Sequence, residues 1–159
     1  DGGVNPWGEQ ISLNLSNDEV DSVNFWYDTA PTATHFTLGS GNYGNTNNAT
    51  FIAMLFASVD GISKVGYYTG NGTSGHSITT GFQPRFVIIK CTTQTAGWYV
   101  LDTLRGWGSG NDEYLSLNST SAQDGQNDFG APASTGFTLN LTGNAANGDG
   151  EKYIYYAHA

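Results

Sequence analysis

Carboxylate side chains are the residues of this sequence best suited to chemistry. Asp102, Asp112 and Glu113 follow the most apolar part of the chain, and two carboxylates that face each other across a cleft could hydrolyse a glycosidic bond. Their spacing does not show that any two converge, so a solvated loop position is the simpler interpretation. No nucleophile elbow, phosphate-binding loop or Cys-His pairing accompanies them. We therefore expect the protein not to be an enzyme.

Two acidic loops place oxygen atoms close enough together to bind calcium. They are NDEVD at residues 17–21 and NGDGE at residues 147–151. Neither loop matches a complete EF-hand, and a solvated turn is the favoured interpretation of both. The three histidines, His35, His76 and His158, lack the pairwise spacing of a metal site. We expect neither a bound metal nor a cofactor.

Aromatic side chains in polar loops could bind a sugar by stacking, with hydrogen bonds from neighbouring amides. Tyr43 lies in the middle of the loop GSGNYGNTNN, with Asn45 two residues further on, and has little core to join. Trp7 and Trp107 occupy the same place in two repeated parts of the chain, which favours packing over recognition for both. The candidate ligand-binding residues are Tyr43, Asn45 and Trp107.

The elements that position these residues follow from composition. The chain has 159 residues, of which 22 are Gly and only five are Lys or Arg. Abundant Gly, Asn, Ser and Thr disfavour long helices and supply tight turns, so the composition predicts an all-β protein. The formal net charge of −9 disfavours nucleic acid and anionic membranes as partners. Since the chain does not begin with Met, we expect a processed product or a piece of a longer protein.

The segment Gly81–Lys90, GFQPRFVIIK, is where turn residues are followed directly by an apolar run. Pro84 suits the first position of a strand because proline cannot donate to a sheet ladder. The β-branched residues that follow predict a strand that is buried on both faces, at the centre of a β-sandwich. Cys91 follows this run and is the only cysteine, so we expect a small buried residue without an intrachain disulfide.

An internal repeat divides the chain. The aligned pairs are ISLNLS from Ile11 with LSLNST from Leu115, TAPTATHFTLG from Thr29 with GAPASTGFTLN from Gly130, and FIAMLFA from Phe51 with YIYYAHA from Tyr153. The segment between the copies occurs once. We call residues 1–60 the first back half, residues 61–104 the front half and residues 105–159 the second back half.

Two domain organisations are compatible with this repeat. In the favoured one, both back halves pack around the front half in a single β-sandwich domain over residues 1–159, because a back half alone buries too little surface. In the other, residues 1 to about 60 form a small unit and residues 61–159 form a complete module.

Alternation and turn signals predict about eleven short strands in an antiparallel, jelly-roll-like β-sandwich. The predicted strands are 10–15, 23–27, 35–38, 50–58, 64–69, 76–80, 85–92, 98–103, 114–118, 136–140 and 152–158.

The sequence also resembles a known β-rich module. The motifs that carry the resemblance are FTLG from Phe36, FIAMLFASVDGISKVGYYTGNG from Phe51, GFQPRFVIIK from Gly81, WYVLDTLR from Trp98 and YLSLNST from Tyr114. Together they resemble a module without an assigned activity that recurs, often in tandem, in virion-surface and tail-fibre-like proteins of marine tailed phages, including cyanophages. Cys91 and the ending YYAHA depart from its pattern. Related modules run on into an SKVG-type segment at this point, and no such segment follows YYAHA here. We therefore expect Ala159 to lie near the natural C-terminus.

The resemblance implies a structural protein on the virion surface, in a tail fibre, spike or capsid appendage, with a role in assembly or host attachment. Its expected partners are other virion proteins and copies of itself, with a trimer favoured, and a host surface glycan is a further candidate. The alternative function is that of a lectin-like carbohydrate-binding module, and a glycan hydrolase domain is the least favoured.

Overall fold

The computed structural model describes residues 7–159, so residues 1–6 of the first back half lie outside the described residues. Within residues 7–159 the chain forms eleven strands, a single turn of α-helix and a short 3-10 helix at Thr103–Arg105. The strands and the helix are β1 (Glu9–Gln10), β2 (Val20–Asp21), α1 (Val23–Trp26), β3 (Ser63–Thr69), β4 (His76–Thr79), β5 (Phe86–Cys91), β6 (Trp98–Asp102), β7 (Asp112–Ser116), β8 (Asp124–Asn127), β9 (Pro132–Ala133), β10 (Gly136–Leu139) and β11 (Lys152–His158).

All strand pairs are antiparallel, and the strands form three sheets. The largest has the order β3-β11-β5-β6-β7-β8, the second has the order β4-β10-β9, and β1 pairs with β2. The prediction of an all-β antiparallel sandwich is therefore confirmed.

The core lies between the six-stranded and three-stranded sheets. The ring of Tyr155 in β11 meets the ring of Phe137 in β10 edge-on, with centroids 5.6 Å apart. The Tyr155 hydroxyl also donates a hydrogen bond to the Thr79 carbonyl in β4, at 3.4 Å. Burial of a large apolar side chain such as Phe137 contributes roughly 1.5–3 kcal/mol, so these facing side chains hold the two sheets together.

Strand β5 fulfils the central role that the sequence predicts. It lies between β11 and β6, and Val87, Ile89 and Cys91 are completely buried on its inner face. Cys91 is a free, buried thiol, as expected. Phe86 and Ile88 on the opposite face are only half-buried, so the strand has one fully buried face instead of two.

The chain divides into two compact units. The larger unit comprises residues Ser12–Asp18 and Phe56–Ala159, and it contains the sandwich. The described part of the smaller unit comprises residues 7–11 and Glu19–Leu55, and it contains the pair β1-β2 and the helix α1. The single-domain organisation stays a prediction.

The predicted strands of the first back half are largely wrong. Residues 23–27 form the helical turn α1, which ends where Tyr27 adopts a left-handed conformation with φ 55° and donates its N–H to the Val23 carbonyl. Residues 35–38 and 50–58 form no strand, and only the first residue of the predicted strand 10–15 is part of β1. A strand needs a partner for its backbone groups, and alternation cannot show whether that partner exists.

Candidate functional site

A shallow groove of about 330 Å³ is a candidate site in the larger unit. It is lined by Arg85, Phe86, Tyr156, His158 and Ala159. These residues lie at the start of β5 and the end of β11, which are neighbouring antiparallel strands. His158 is paired with Phe86 in the β11-β5 register, and the Arg85 N–H donates to the His158 carbonyl at 2.8 Å.

Alternation along β11 brings the aromatic side chains to this groove. Tyr153, Tyr155 and Ala157 point into the core and are buried, so Tyr156 and His158 must lie on the opposite face. Tyr156 forms a small aromatic cluster there, with ring centroids 5.0 Å from Phe56 and 6.4 Å from both Phe86 and His158. These residues are not among the candidates predicted from the sequence, although the alternating run KYIYYAH indicates which side chains share a face.

The arginine that lines the groove, Arg85, is paired with a carboxylate. One Asp102 carboxylate oxygen lies 3.4 Å from the Arg85 guanidinium, whose side chain is 54% exposed. The other Asp102 oxygen accepts the Leu104 N–H at 2.8 Å and caps the 3-10 helix. A half-buried tyrosine ring beside a guanidinium suits a ligand with an apolar face and hydroxyl or carboxylate groups, such as a sugar.

The predicted candidates Tyr43 and Asn45 lie together in one loop of the smaller unit. Tyr43 is 82% exposed, and its ring stacks on Phe25 with centroids 5.8 Å apart and an interplanar angle of 11°. Asn45 donates its side-chain amide to the Gly39 carbonyl at 2.8 Å, which fixes the loop. The outer ring face of Tyr43 is thus presented to solvent on a supported loop.

Trp107 is not a surface residue. It is 3% exposed in the larger unit and packs edge-on against Phe137, with ring centroids 6.2 Å apart. Its indole N–H is buried without a hydrogen-bond partner. This placement corrects the choice of Trp107 as a ligand contact and agrees with the packing role that the repeat favours.

The acidic loop at 147–151 cross-links the structure. Asn147 is fully buried, and its side-chain oxygen accepts the Asn71 N–H and contacts His76 Nδ1, both at 2.9 Å. Its side-chain amide donates to Asn71 Oδ1 at 3.0 Å and to the Thr73 carbonyl at 2.9 Å. Because these bonds use its side chain, Asn147 is not directed at a cation. Among the described residues, no three His, Cys, Asp or Glu side chains are grouped as a metal site requires.

Asp112 is also a structural carboxylate. It is fully buried and accepts three backbone N–H groups, those of Gly108 at 2.8 Å, Phe129 at 2.7 Å and Gly130 at 3.1 Å. Burial raises the pKa of Asp112, while these hydrogen bonds act in the opposite direction and nearby Asp128 adds to the increase. Both oxygens are therefore occupied by the fold.

Glu113, the third carboxylate considered for hydrolysis, accepts the Gln123 side-chain amide at 2.6 Å. Of the histidines, His35 lies in a local turn of the smaller unit, where its Nδ1 is 2.9 Å from the Thr32 hydroxyl. The three histidines thus have separate surroundings: the Thr32 turn, the Asn147 network and the groove.

The fold and these surfaces define the class of protein: an antiparallel β-sandwich module with an aromatic groove on its outer face. In comparisons with known proteins, residues 2–159 match a domain of unknown function, DUF7483. The chain belongs to this family. No curated protein and no solved structure matches the chain. Over the described residues, no helix has the length and apolar content to cross a membrane.

Proposed function

We propose that this protein is a structural component of a tailed-phage virion surface, as part of a tail fibre, spike or capsid appendage. In this role it presents a rigid β-sandwich for assembly or for host attachment. The similarity of its motifs to modules of virion-surface proteins supports the proposal. Its expected location is the exterior of the particle, in contact with other virion proteins and with copies of itself.

The observation that carries the proposal is an exposed apolar segment at residues 51–56. Ile52 is 93% exposed, Leu55 77% and Met54 71%, and each has apolar neighbours in the sequence. Contiguous apolar surface of this kind marks an interaction site. A protein that works within an assembly has a reason to retain such a surface, because its neighbours cover it.

The direct test examines intact particles of a phage that encodes this chain. We expect the chain in purified particles by mass spectrometry, and labelling of intact particles by an antibody against the folded protein. A chain that is found only in the soluble lysate, with particles free of it, would contradict a virion role.

The oligomeric state is a separate test. We expect a trimer by sedimentation equilibrium, and we expect that replacing both Ile52 and Leu55 by Ser weakens the association. Ser substitution of Tyr67, which is 62% exposed on β3, is the matched control. A monomer at all accessible concentrations would remove self-assembly from the proposal.

A lectin-like function is the second candidate, since Tyr43 exposes an aromatic face in a polar loop and the groove holds half-buried aromatic rings beside Arg85. A glycan array with the intact protein tests it. If the glycan binds in the groove, Tyr156→Ala should abolish binding, and if it binds at the exposed loop, Tyr43→Ala should abolish it. Tyr67→Ala should retain binding in either case. Absence of binding would leave the structural role alone.

A further inference from the structure

The segment of the first back half that aligns with β11, residues 51–57, is not part of any sheet. In the second back half, β11 pairs with β3 on one side and β5 on the other. Residues 51–57, FIAMLFA, align with residues 153–159, yet they form no strand and every one of them is exposed. The two neighbours of β11 both belong to the front half, of which the chain has only one copy.

The copy of strand β10 shows the same difference. In the second back half, Phe137 and Leu139 pair with β4 of the front half, and each is 1% exposed. Their counterparts Phe36 and Leu38 lie outside any strand and are 36% and 39% exposed. Similarly, Trp7 is 42% exposed, whereas Trp107 is 3% exposed.

Pairings internal to a back half occur in both copies. The pair Gln10–Val20 of β1-β2 corresponds to the pair Tyr114–Asp124 of β7-β8 when the Ile11–Leu115 alignment is extended. In the smaller unit the Gly39 N–H donates to the Phe25 carbonyl at 2.6 Å, and at the aligned position the Asn140 N–H donates to the Phe129 carbonyl at 2.9 Å. The first copy thus keeps the pairings that it can make by itself.

We infer that residues 7–57 are an incomplete half of a sandwich, which is completed by an additional front-half segment, of the kind found at residues 61–104, supplied from outside these 159 residues. The partner provides strands of the β3, β4, β5 and β6 type. Residues 51–57 insert between its β3-type and β5-type strands, with Phe51, Ala53 and Leu55 facing the new core at the positions of Tyr153, Tyr155 and Ala157. This inference goes beyond the proposed function, because it holds wherever the protein is located.

Copies of this chain cannot complete one another. Each copy has two back halves and one front half, and the front half already pairs with the second back half of its own chain. Any exchange between copies leaves one back half per chain without a partner. Completion of the sheets therefore requires an additional front half, whereas a second copy of this chain can cover residues 51–57 only by surface contact.

A local hairpin is the competing arrangement for this segment. Val59 and Ser63 form an isolated antiparallel bridge, and the Ser58 hydroxyl accepts the Val65 N–H at 3.1 Å. Continued pairing along the free edge of β3 would place residues 53–57 in a seventh strand of the large sheet. The test must therefore distinguish pairing with the chain's own β3 from pairing with an added front half.

The experiment fuses a second copy of residues 61–104 directly before residue 1 of the full chain. In the natural connection, Leu104 precedes Trp107 by three residues. In the fusion, the added Leu104 precedes Trp7, which aligns with Trp107, by seven residues. The connection is therefore long enough without a linker. Hydrogen exchange measured by mass spectrometry then reports on the amides of residues 51–57. We expect fast exchange in the unfused chain and exchange at least about 100-fold slower in the fusion, as for a paired strand.

Two matched pairs make the result decisive. A fusion whose added copy carries Val65→Pro and Ile89→Pro should not protect the amides of residues 51–57 from exchange. Proline breaks the β3-type and β5-type strands between which these residues would insert. Within the intact fusion, Leu55→Asp should abolish the protection, whereas Met54→Asp, on the outer face, should largely keep it. Slow exchange in the unfused chain, unchanged fast exchange in the fusion, or equal effects of the two Asp substitutions would each overturn the inference.

Discussion

At the scale of single residues, buried polar side chains hold the larger unit together. The local sequence around Asp112 and in the 147–151 loop favours solvated positions, yet Asp112 and Asn147 are both fully buried. Their partners explain the difference. Asp112 binds amides 17 and 18 residues away, and Asn147 binds groups more than 70 residues away. A local sequence pattern contains no information about such partners.

Asp112→Asn should destabilise the protein by about 2–4 kcal/mol at pH 7, because the new amide turns a donor towards buried N–H groups. Urea unfolding measures the change, and Asp149→Asn in an exposed loop is the control. A loss as small as that of the control would show that the three hydrogen bonds contribute little.

The effect of Asp112→Asn on the free energy of unfolding should also depend on pH. Burial raises the folded-state pKa of Asp112 above its ordinary value of 3.8. Protonation of Asp112 therefore adds to stability: this added part is fully present below pH 3.8 and is lost as the pH rises through the folded-state pKa, whereas the three backbone hydrogen bonds remain at pH 7. The difference in unfolding free energy between the wild type and Asp112→Asn should therefore shrink from acidic to neutral pH. A difference that grows with pH would mean that the three amides outweigh burial.

Asn147→Asp removes two buried donors and places a carboxylate against the Asn71 side-chain oxygen and the Thr73 carbonyl. We expect a loss of about 2–4 kcal/mol in unfolding free energy. Asn144→Asp makes the same chemical change at an exposed position of the same loop. If both variants lose the same amount, the network around Asn147 is not what stabilises this end of the sandwich.

At the scale of strands, apolar patterns predict strands correctly where the pairing partners are present. Alternation in KYIYYAH gave the bounds of β11 as Lys152–His158, and the apolar run FVII located β5. The same kind of pattern at residues 50–58 predicted a strand that does not form. Strand β8, the sequence DGQN, was missed because its residues have low strand propensity and depend on pairing with β7. The groove was missed because it requires the β11-β5 register, which the sequence does not show.

Gly66 in β3 makes room for a side chain on the neighbouring strand. It is paired with Tyr155, and a Cβ atom at Gly66 would lie 2.6 Å from the Tyr155 ring. We expect Gly66→Ala to destabilise the protein by about 1–3 kcal/mol through overpacking.

A double-mutant cycle with Tyr155→Leu tests this reason. The cost of Gly66→Ala should fall substantially when the ring is absent, as thermal or urea unfolding of the four proteins will show. Gly108→Ala is the control, because no atom lies within 4 Å of its added Cβ. An unchanged cost in the Tyr155→Leu background would mean that the strain arises elsewhere.

At the scale of the whole molecule, charge and exposed apolar surface act in opposite directions. The net charge of −9 and the isoelectric point near 4.3 mean that electrostatic repulsion opposes association of copies at neutral pH. Titration of the carboxylates towards pH 4.3 removes this repulsion, so light scattering should show increasing association of the wild type as the pH falls. Ile52→Ser with Leu55→Ser should reduce this association while leaving the charge unchanged. Equal association of both proteins would place the contact outside residues 51–56.

The order of strands in the large sheet also affects synthesis. Strand β11 is the last of the six in the chain but lies second in the sheet, between β3 and β5. During translation β3 and β5 are synthesised more than 60 residues before β11, so both strands have an unpaired edge until β11 is added. A nascent chain of this protein therefore has a long interval in which chaperone binding would be useful, and removal of the final strand would leave the sheet split.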